Sequence, residues 1–207
     1  MLTVIEPAAS FDLTTLDDVK AELGITGTAE DAQLQKRISR ASDLIARYCD
    51  RVFARERVRE TFVIGRCSRP LRLDRKPAQI LIVSVDDAPL EDGQWALDDA
   101  GGVVRLSGGV PGPWWGTTVA VEYYGGYVLP GAEDVPDAPK MPAALEQACV
   151  TLVTALYAGA GRDPMQRSRT VEGVGSTSWV ATADMAGLPP QVSGMLEAAG
   201  FVRLSVG

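Results

Sequence analysis

The sequence contains no histidine and only three cysteines. Without histidine the chain cannot form a Ser–His or Cys–His nucleophile pair, a histidine general base or a histidine metal ligand. The cysteines Cys49, Cys67 and Cys149 are odd in number and show no C-x-x-C spacing, which argues against a disulfide framework and predicts free, buried thiols. We therefore expect a protein that is not an enzyme and that has no cofactor and no metal site.

The sequence also lacks a long apolar run. No stretch approaches the roughly 20 residues of a membrane span. The N-terminus has no basic segment followed by an apolar one, so we expect no signal peptide and no membrane partner. Hydrophobic residues still make up 46% of the 207 residues, enough for one large domain or for a core with an inserted subdomain.

Charge is unevenly distributed along the chain. The formal net charge is −7, yet residues 36–76 hold thirteen Lys/Arg and five Asp/Glu. The rest of the chain holds seven Lys/Arg and twenty-two Asp/Glu. A globally acidic protein is a poor non-specific DNA binder. A basic band beside acidic segments suits self-association or docking to another protein.

A long amphipathic helix is predicted over residues 29–52. Apolar residues recur at steps of three and four from Leu34 to Val52, which places them on one helical face. Thr28 with Asp31 resembles a capping box at its start. Four basic residues lie roughly opposite the apolar face and form either a solvated surface or a docking face for an acidic partner or nucleic acid. This basic stripe consists of Lys36, Arg40, Arg47 and Arg51.

Three further helices are predicted. The first begins at Thr14 or Thr15, ends at Gly24 and folds back on the long helix as an α-hairpin. The second begins at Pro142, is apolar over a broad face and is expected to be the central core helix. The third is short and opens at Pro189, followed by a second proline.

Residues 56–127 predict a small antiparallel β subdomain. The alternation of side chains in Val58–Ile64 and Val119–Tyr124 has the period of a strand. The apolar run Ile80–Val85 predicts a strand that is buried on both faces. Residues 162–187 are polar and irregular, which predicts a mobile loop.

Two features of the β region invite functional hypotheses. Six carboxylates lie between Asp86 and Asp99 as adjacent doublets with no Lys or Arg among them. We interpret them as turn residues; the alternatives are a Ca²⁺ site and a general acid–base pair. Trp114 and Trp115 lie in a Pro/Gly-rich loop and predict either packing over the sheet or contact with a neighbouring subunit. The remaining alternative is a stacking platform for a sugar or base.

Several motifs occur in the order typical of one protein family. The run Leu13–Lys20, LTTLDDVK, precedes a helix that begins near Asp31, and the runs Tyr124–Tyr127, YGGY, and Val171–Ser176, VEGVGS, follow later. With these motifs the chain resembles the head-to-tail connector (adaptor) proteins of long-tailed phages, prophages and phage-like gene transfer agents. The resemblance covers residues 14–60 and 119–178.

The resemblance implies an α+β fold. The expected core is a helical bundle, made of the N-terminal α-hairpin and the later core helix, with an inserted small antiparallel β subdomain and a C-terminal docking segment. The expected segments are 1–55 for the N-terminal arm and α-hairpin, 56–127 for the inserted β subdomain, 128–187 for the linker, core helix and mobile loop, and 188–207 for the C-terminal docking segment.

The resemblance also implies a structural role in the virion. Such adaptors form a ring, usually of twelve, beneath the portal protein, where they extend the DNA channel and join the capsid to a stopper or other neck or tail protein. DNA is expected to pass without sequence-specific binding. We expect assembly in the cytoplasm of the producing bacterium and a final place in the neck of the particle. The alternatives are another neck component, a stopper or tail-completion protein, and, less favoured, a carboxylate-dependent hydrolase.

The sequence further predicts which residues make these contacts. The C-terminal end is apolar and needs a partner surface, which predicts portal binding. The basic stripe, the arginine-containing loop and the tryptophan pair predict contacts with subunits or partners. The predicted portal-binding residues are Phe201, Val202, Arg203 and Leu204, and the predicted interface residues are Lys36, Arg40, Arg47, Arg51, Arg167, Arg169, Trp114 and Trp115.

Overall fold

The chain forms two compact units, each assembled from two separate stretches of sequence. The β unit comprises Met1–Ser10 and Val52–Lys140, and the helical unit comprises Phe11–Arg51 and Met141–Gly207. The structure is a computed structural model, which describes residues 1–64, 70–98, 101–114, 116–160, 168–171, 175–178 and 188–202; for 168–171 and 175–178 it describes the backbone alone.

The helical unit is built around its third helix, α3. This helix packs against the other three, α1, α2 and α4, and buries apolar residues such as Leu145, Leu152 and Val153. The helix α2 buries the apolar stripe that the sequence predicts. None of the helices in the described ranges is long and apolar enough to cross a bilayer. The helices are α1 (Leu16–Leu23), α2 (Asp31–Cys49), α3 (Ala143–Ala158) and α4 (Pro190–Ala198).

The predicted ends of α1 are confirmed. The Thr15 hydroxyl accepts a hydrogen bond at 3.2 Å from the backbone N–H of Asp18, one of the donors left free in a first helical turn. Gly24 ends the helix at φ 67°, a left-handed conformation that glycine adopts without steric cost.

The predicted capping box of α2 is wrong. The N-cap is Glu30, and no side chain makes a capping hydrogen bond there. Asp31 is used elsewhere, because its carboxylate accepts from the Lys20 ammonium of α1 at 2.7 Å in a partly buried ion pair. Asp31 therefore makes a contact between two helices instead of the capping contact with Thr28 that the sequence spacing predicted.

The β unit contains two antiparallel sheets. The larger has the strand order β1-β2-β9-β4-β5, and the smaller has the order β3-β7-β6 with β8 paired to β7. The strands are β1 (Leu2–Glu6), β2 (Glu56–Val63), β3 (Leu71–Arg72), β4 (Ala78–Val85), β5 (Ala88–Pro89), β6 (Trp95–Leu97), β7 (Gly102–Ser107), β8 (Val110–Gly112) and β9 (Thr118–Gly125).

Both sheets contribute to one apolar core. In β9, buried and half-buried residues alternate, so that Val119, Val121 and Tyr123 face inward, as strand period requires. The smaller sheet and its loops add Val103 and Trp114 to the same cluster. Burial of this shared cluster gives the β unit a core of its own.

The prediction that Ile80–Val85 is buried on both faces is wrong. Leu81 and Ile82 are 41% and 48% exposed, whereas Val83 is buried. The neighbouring strand β5 pairs only with the last two residues of β4. The first part of β4 therefore lies at the edge of the sheet, where apolar side chains remain open to water.

The expected fold class, a helical bundle with a small inserted β subdomain, is wrong. The described residues of the β unit form nine strands in two antiparallel sheets, and the described part of the chain adds a separate two-stranded hairpin and only four helices. The β region is not a small insertion, because the N-terminal strand β1 pairs with β2, more than fifty residues later, and completes the larger sheet. Strand pairing between distant segments has no local sequence signal, which explains the error.

The segment predicted as a mobile loop, residues 162–187, contains a short hairpin. The strands β10 (Ser168–Val171) and β11 (Gly175–Ser178) pair antiparallel. The other residues of this segment lie outside the described ranges.

Candidate interaction surfaces

Three residues of the basic stripe, Lys36, Arg40 and Arg47, lie on the side of α2 opposite the residues that this helix buries, whereas Arg51 follows the end of the helix at Cys49. Lys36, Arg40 and Arg47 are exposed, and Arg51 is half-buried. Arg47 pairs with Asp43 at 3.0 Å, but the two side chains are 77% and 58% exposed, so the pair contributes little to stability. Among the described residues Lys36 and Arg40 have no ion-pair partner. Positive charge is therefore least compensated at these two positions.

A second charged surface is formed by α1 and the first turn of α3. Asp17, Asp18 and Glu22 are exposed on α1, and Glu146 is half-buried on α3. Burial and, second, the negative charge of Asp18 raise the pKa of Glu146. The described residues offer none of these four carboxylates an ion pair, because Lys20 is bound to Asp31. We call the four residues the acidic patch.

The outer face of the larger sheet carries paired charges that the sequence patterns did not single out. Arg57 donates through Nε to Glu122 at 2.8 Å and through Nη1 to Glu6 at 2.7 Å. Hydrogen bonds to Glu122 and then to Glu6 raise the pKa of Arg57. Arg55 lies over the ring of Tyr124, 4.2 Å from its centroid. Arg57 lies on β2, Glu6 on β1 and Glu122 on β9, so these pairs become visible only with the strand register.

A buried polar network on the inner face of β2 was also missed. The carboxylate of Glu60 accepts from the Tyr123 hydroxyl at 3.0 Å and from the backbone N–H of Asp74 at 3.1 Å. Arg75 Nε lies 3.4 Å from a carboxylate oxygen of Glu56. Burial is the main cause that raises the pKa of Tyr123. These bonds attach the segment before β4 to the sheet, which is a structural role.

Two carboxylates of the acidic doublets, Asp86 and Asp98, accept hydrogen bonds in turns. Asp86 accepts from the backbone N–H groups of Thr117 and Thr118 at 2.9 and 2.8 Å, and these bonds lower its pKa. Asp98 accepts from the backbone N–H of Gly102 at 2.6 Å inside a hairpin. In the ranges that the structure describes, no group of three or more His, Cys, Asp or Glu side chains is placed to hold a metal ion. These contacts favour the turn interpretation.

The predicted tryptophan interface is not supported at Trp114. This side chain is fully buried in the core of the β unit, so it cannot contact a neighbouring subunit. The packing alternative describes it correctly, since a large apolar ring gains most by leaving water. Trp115 lies outside the described residues.

Of the four predicted portal-binding residues, the structure describes only Phe201 and Val202. Phe201 is only 6% exposed, and its backbone N–H donates to the carbonyl of Leu196 at 3.0 Å, which closes α4. Phe201 therefore belongs to the helical unit and does not supply the exposed apolar surface that the sequence indicated. Val202 is half-buried. Arg169 lies in β10, where only the backbone is described, and Arg167, Arg203 and Leu204 lie outside the described residues.

The two cysteines of the helical unit are buried, as predicted. Burial raises the pKa of Cys49 to about 11 and that of Cys149 to about 12. The Cys149 sulfur lies 3.6 Å from the hydroxyl of Ser42. Thiols with such pKa values are protonated at neutral pH and unreactive. Cys67 lies outside the described residues.

The surfaces are therefore charged and suited to contacts with other proteins. The sequence profile of the head completion protein family matches residues 12–198, most of the chain and parts of both units. The chain belongs to the head completion protein family. The resemblance to head-to-tail connectors drawn from the sequence motifs is thereby confirmed.

Solved structures share the fold of this family member. The "Virion of native gene transfer agent (GTA) particle" contains a chain with 17% identity and a TM-score of 0.57. The "Neck of empty GTA particle computed with C6 symmetry" contains one with 18% identity and a TM-score of 0.58. In both cases the match covers 100% of this chain and 98% of the other. A comparison with curated proteins finds no match.

Family membership establishes the general role. The expected structural role in the particle is confirmed at the level of the family, whose members are head completion proteins. One motif of the family resemblance, YGGY at Tyr124–Tyr127, also gains a physical reason. Gly126 has φ 104°, and a Cβ at this position would overlap the backbone carbonyl of Ala54. Only glycine suits this close approach of two backbone segments.

Proposed function

We propose that this head completion protein forms a closed ring in the neck, beneath the portal protein, where it extends the DNA channel and presents a surface to the next neck or tail protein. Membership of the family over residues 12–198 is the observation that carries the proposal. The ring is proposed to contain twelve copies. A chain with the same fold occurs in the "Neck of native GTA particle computed with C12 symmetry", at 16% identity and a TM-score of 0.56.

The charge of the chain fits a channel through which DNA moves freely. Each copy has a formal net charge of −7, and a ring multiplies that charge around one axis. A negative lining repels the phosphate backbone, so DNA slides without being held. Salt screens much of this field beyond roughly 8–10 Å, which limits the effect to DNA close to the protein surface.

We further propose that the C-terminal segment attaches the ring to the portal. Phe201 is buried and Val202 half-buried, so the attachment is assigned to the residues that follow, beginning with Arg203 and Leu204. The sequence of this end supports the assignment, because it alternates apolar Leu204 and Val206 with a serine, a pattern suited to pairing with another surface.

The experiment that tests the proposed function is a tagged purification of the full chain from particle-producing cells. Co-purifying proteins are identified by mass spectrometry, and the particles are imaged by electron microscopy. We expect portal and tail proteins in stoichiometric amounts and a ring of this chain on the portal side of the neck. Recovery of tail proteins without the portal would instead identify a stopper or tail-completion protein. Recovery of no particle protein would refute the proposal.

A further inference from the structure

The basic stripe of α2 carries charge that the chain itself does not neutralise. Lys36 and Arg40 are exposed, lie four residues apart on one side of the helix, and have no ion pair among the described residues. Arg47, about two turns further along the helix, is already paired with Asp43. The uncompensated part of the stripe is therefore a short, two-residue cationic ridge.

The acidic patch has the complementary charge and a matching spacing. Asp18 and Glu22 also lie four residues apart on one side of α1, with Asp17 beside them. Glu146 of α3 adds a carboxylate close enough to Asp18 for the charge of Asp18 to raise its pKa. Like charges are thus held together in the helical unit with no cation between them among the described residues. A cation supplied from outside would relieve this repulsion.

We propose that the cationic ridge of one copy, Lys36 and Arg40, binds the acidic patch of the next copy in the ring. The inference rests on the proposed ring and adds the two surfaces that meet. Two different, complementary patches on one chain produce a head-to-tail contact, which closes into a ring when the rotation per copy permits. We assign the partner of the cationic ridge to a second copy of the chain, because each copy carries an acidic patch that forms no ion pair among its own described residues. A nucleic acid partner is disfavoured by the net charge of −7.

Charge reversal tests this pairing in particle-producing cells. The first variant is Lys36→Glu/Arg40→Glu, and the second is Asp17→Lys/Glu22→Lys. Asp18 is left unchanged because it takes part in the capping of α1 with Thr15. Each variant places like charges at every contact of the ring, so we expect about a tenfold or greater loss of copies per particle, counted by quantitative mass spectrometry.

The decisive experiment produces the two variants together in the same cells. In a ring of even copy number the variants alternate, and each contact again joins opposite charges, so we expect the copies per particle to return toward the wild-type value. The chain carrying all four substitutions is expected to assemble by itself. The control Arg59→Glu/Lys140→Glu makes the same change in net charge at two exposed positions of the β unit and is expected to assemble normally. Thermal unfolding verifies that every variant is folded.

The outcomes separate this inference from the proposed function. If the wild-type chain is absent from particles or forms no ring, the proposed function fails and the pairing fails with it. If the wild type forms a ring and the reversed variants assemble equally well, only the pairing is overturned. If the Lys36→Glu/Arg40→Glu variant is defective and the Asp17→Lys/Glu22→Lys variant does not rescue it, the ridge binds a different neck protein, and the pairing between copies is again overturned.

Discussion

Asp86 illustrates how a single charged side chain can serve the fold. It occupies the turn after β4 at φ 47°, a left-handed conformation that Asp and Asn tolerate better than most residues. Its carboxylate accepts from two successive backbone N–H groups at the start of β9. The turn and the strand are therefore held together by one ionised group.

We predict that Asp86→Asn lowers stability in a pH-dependent way. The hydrogen bonds from Thr118 and Thr117 lower the pKa of Asp86 in the folded chain below the ordinary value of about 3.9. The stabilisation is therefore complete above that ordinary value and is lost as the pH falls through the lowered pKa. Urea unfolding at several pH values should show the variant less stable near neutrality and equal to the wild type in strong acid.

Asp92→Asn is the matched control for this measurement. Asp92 is exposed in the next turn, and its carboxylate has no hydrogen bond or ion pair to the described residues. Its substitution should leave the midpoint unchanged at every pH. A constant difference between Asp86→Asn and the wild type down to strong acid would contradict the assignment of the effect to the carboxylate charge.

Two glycines are predicted to respond to alanine in opposite directions. Gly126→Ala forces a side chain into a left-handed conformation and against the carbonyl of Ala54, so we expect a loss of more than about 2 kcal/mol. Gly194→Ala lies within α4, where a Cβ meets nothing within 4 Å, so we expect a gain of about 0.5–1 kcal/mol. Denaturant unfolding measures both, and a neutral Gly126→Ala would show that the backbone there is free to move.

At the scale of elements, one hydroxyl connects three segments of the helical unit. Ser42 of α2 accepts from the backbone N–H of Leu13 at 2.9 Å and contacts the sulfur of Cys149 in α3. All three residues are buried. The N–H of Leu13 is therefore satisfied by a side chain rather than by water, and the segment before α1 is attached to the other two helices.

We predict that Ser42→Ala destabilises the chain by about 1–3 kcal/mol, because the Leu13 N–H remains buried without its acceptor. Ser39→Ala is the control on the same helix: its hydroxyl donates to the Gln35 carbonyl at an exposed position, and its loss should change stability by less than about 0.5 kcal/mol. Equilibrium unfolding compares the two. Equal effects would mean that the Ser42 hydroxyl has no special role.

Elements with a clear local signal were predicted well. The apolar steps of α2 identified its buried face, and Thr15 and Gly24 identified the ends of α1, because caps and helical periodicity depend on residues within a few positions. The prediction that the side chains of Leu81 and Ile82 are buried was wrong, since a short apolar run does not reveal whether a strand lies inside a sheet or at its edge.

At the scale of the whole molecule, the C-terminal segment allows a clean test of portal attachment. Deletion of residues 203–207 leaves α4 and Phe201 intact, so we expect a folded chain that no longer joins particles. Deletion of residues 188–207 also removes the buried Leu188, Val192 and Leu196, and should unfold the helical unit. Circular dichroism separates the two effects. Normal incorporation of the shorter deletion into particles would rule out the C-terminal segment as the attachment.

The sequence by itself determined the amphipathic helix, the strands at Val58–Ile64, Ile80–Val85 and Val119–Tyr124, the buried thiols of Cys49 and Cys149, and the family, because each depends on local spacing or on the order of short motifs. The fold class and the burial of the Trp114 and Phe201 side chains were decided only by tertiary structure. Strand β1 joins a sheet whose other strands begin some fifty residues later, and Trp114 is buried in a cluster with residues distant in sequence, such as Val58 and Leu71. Contacts of this kind depend on which surfaces meet after the chain folds, and no local pattern encodes that choice.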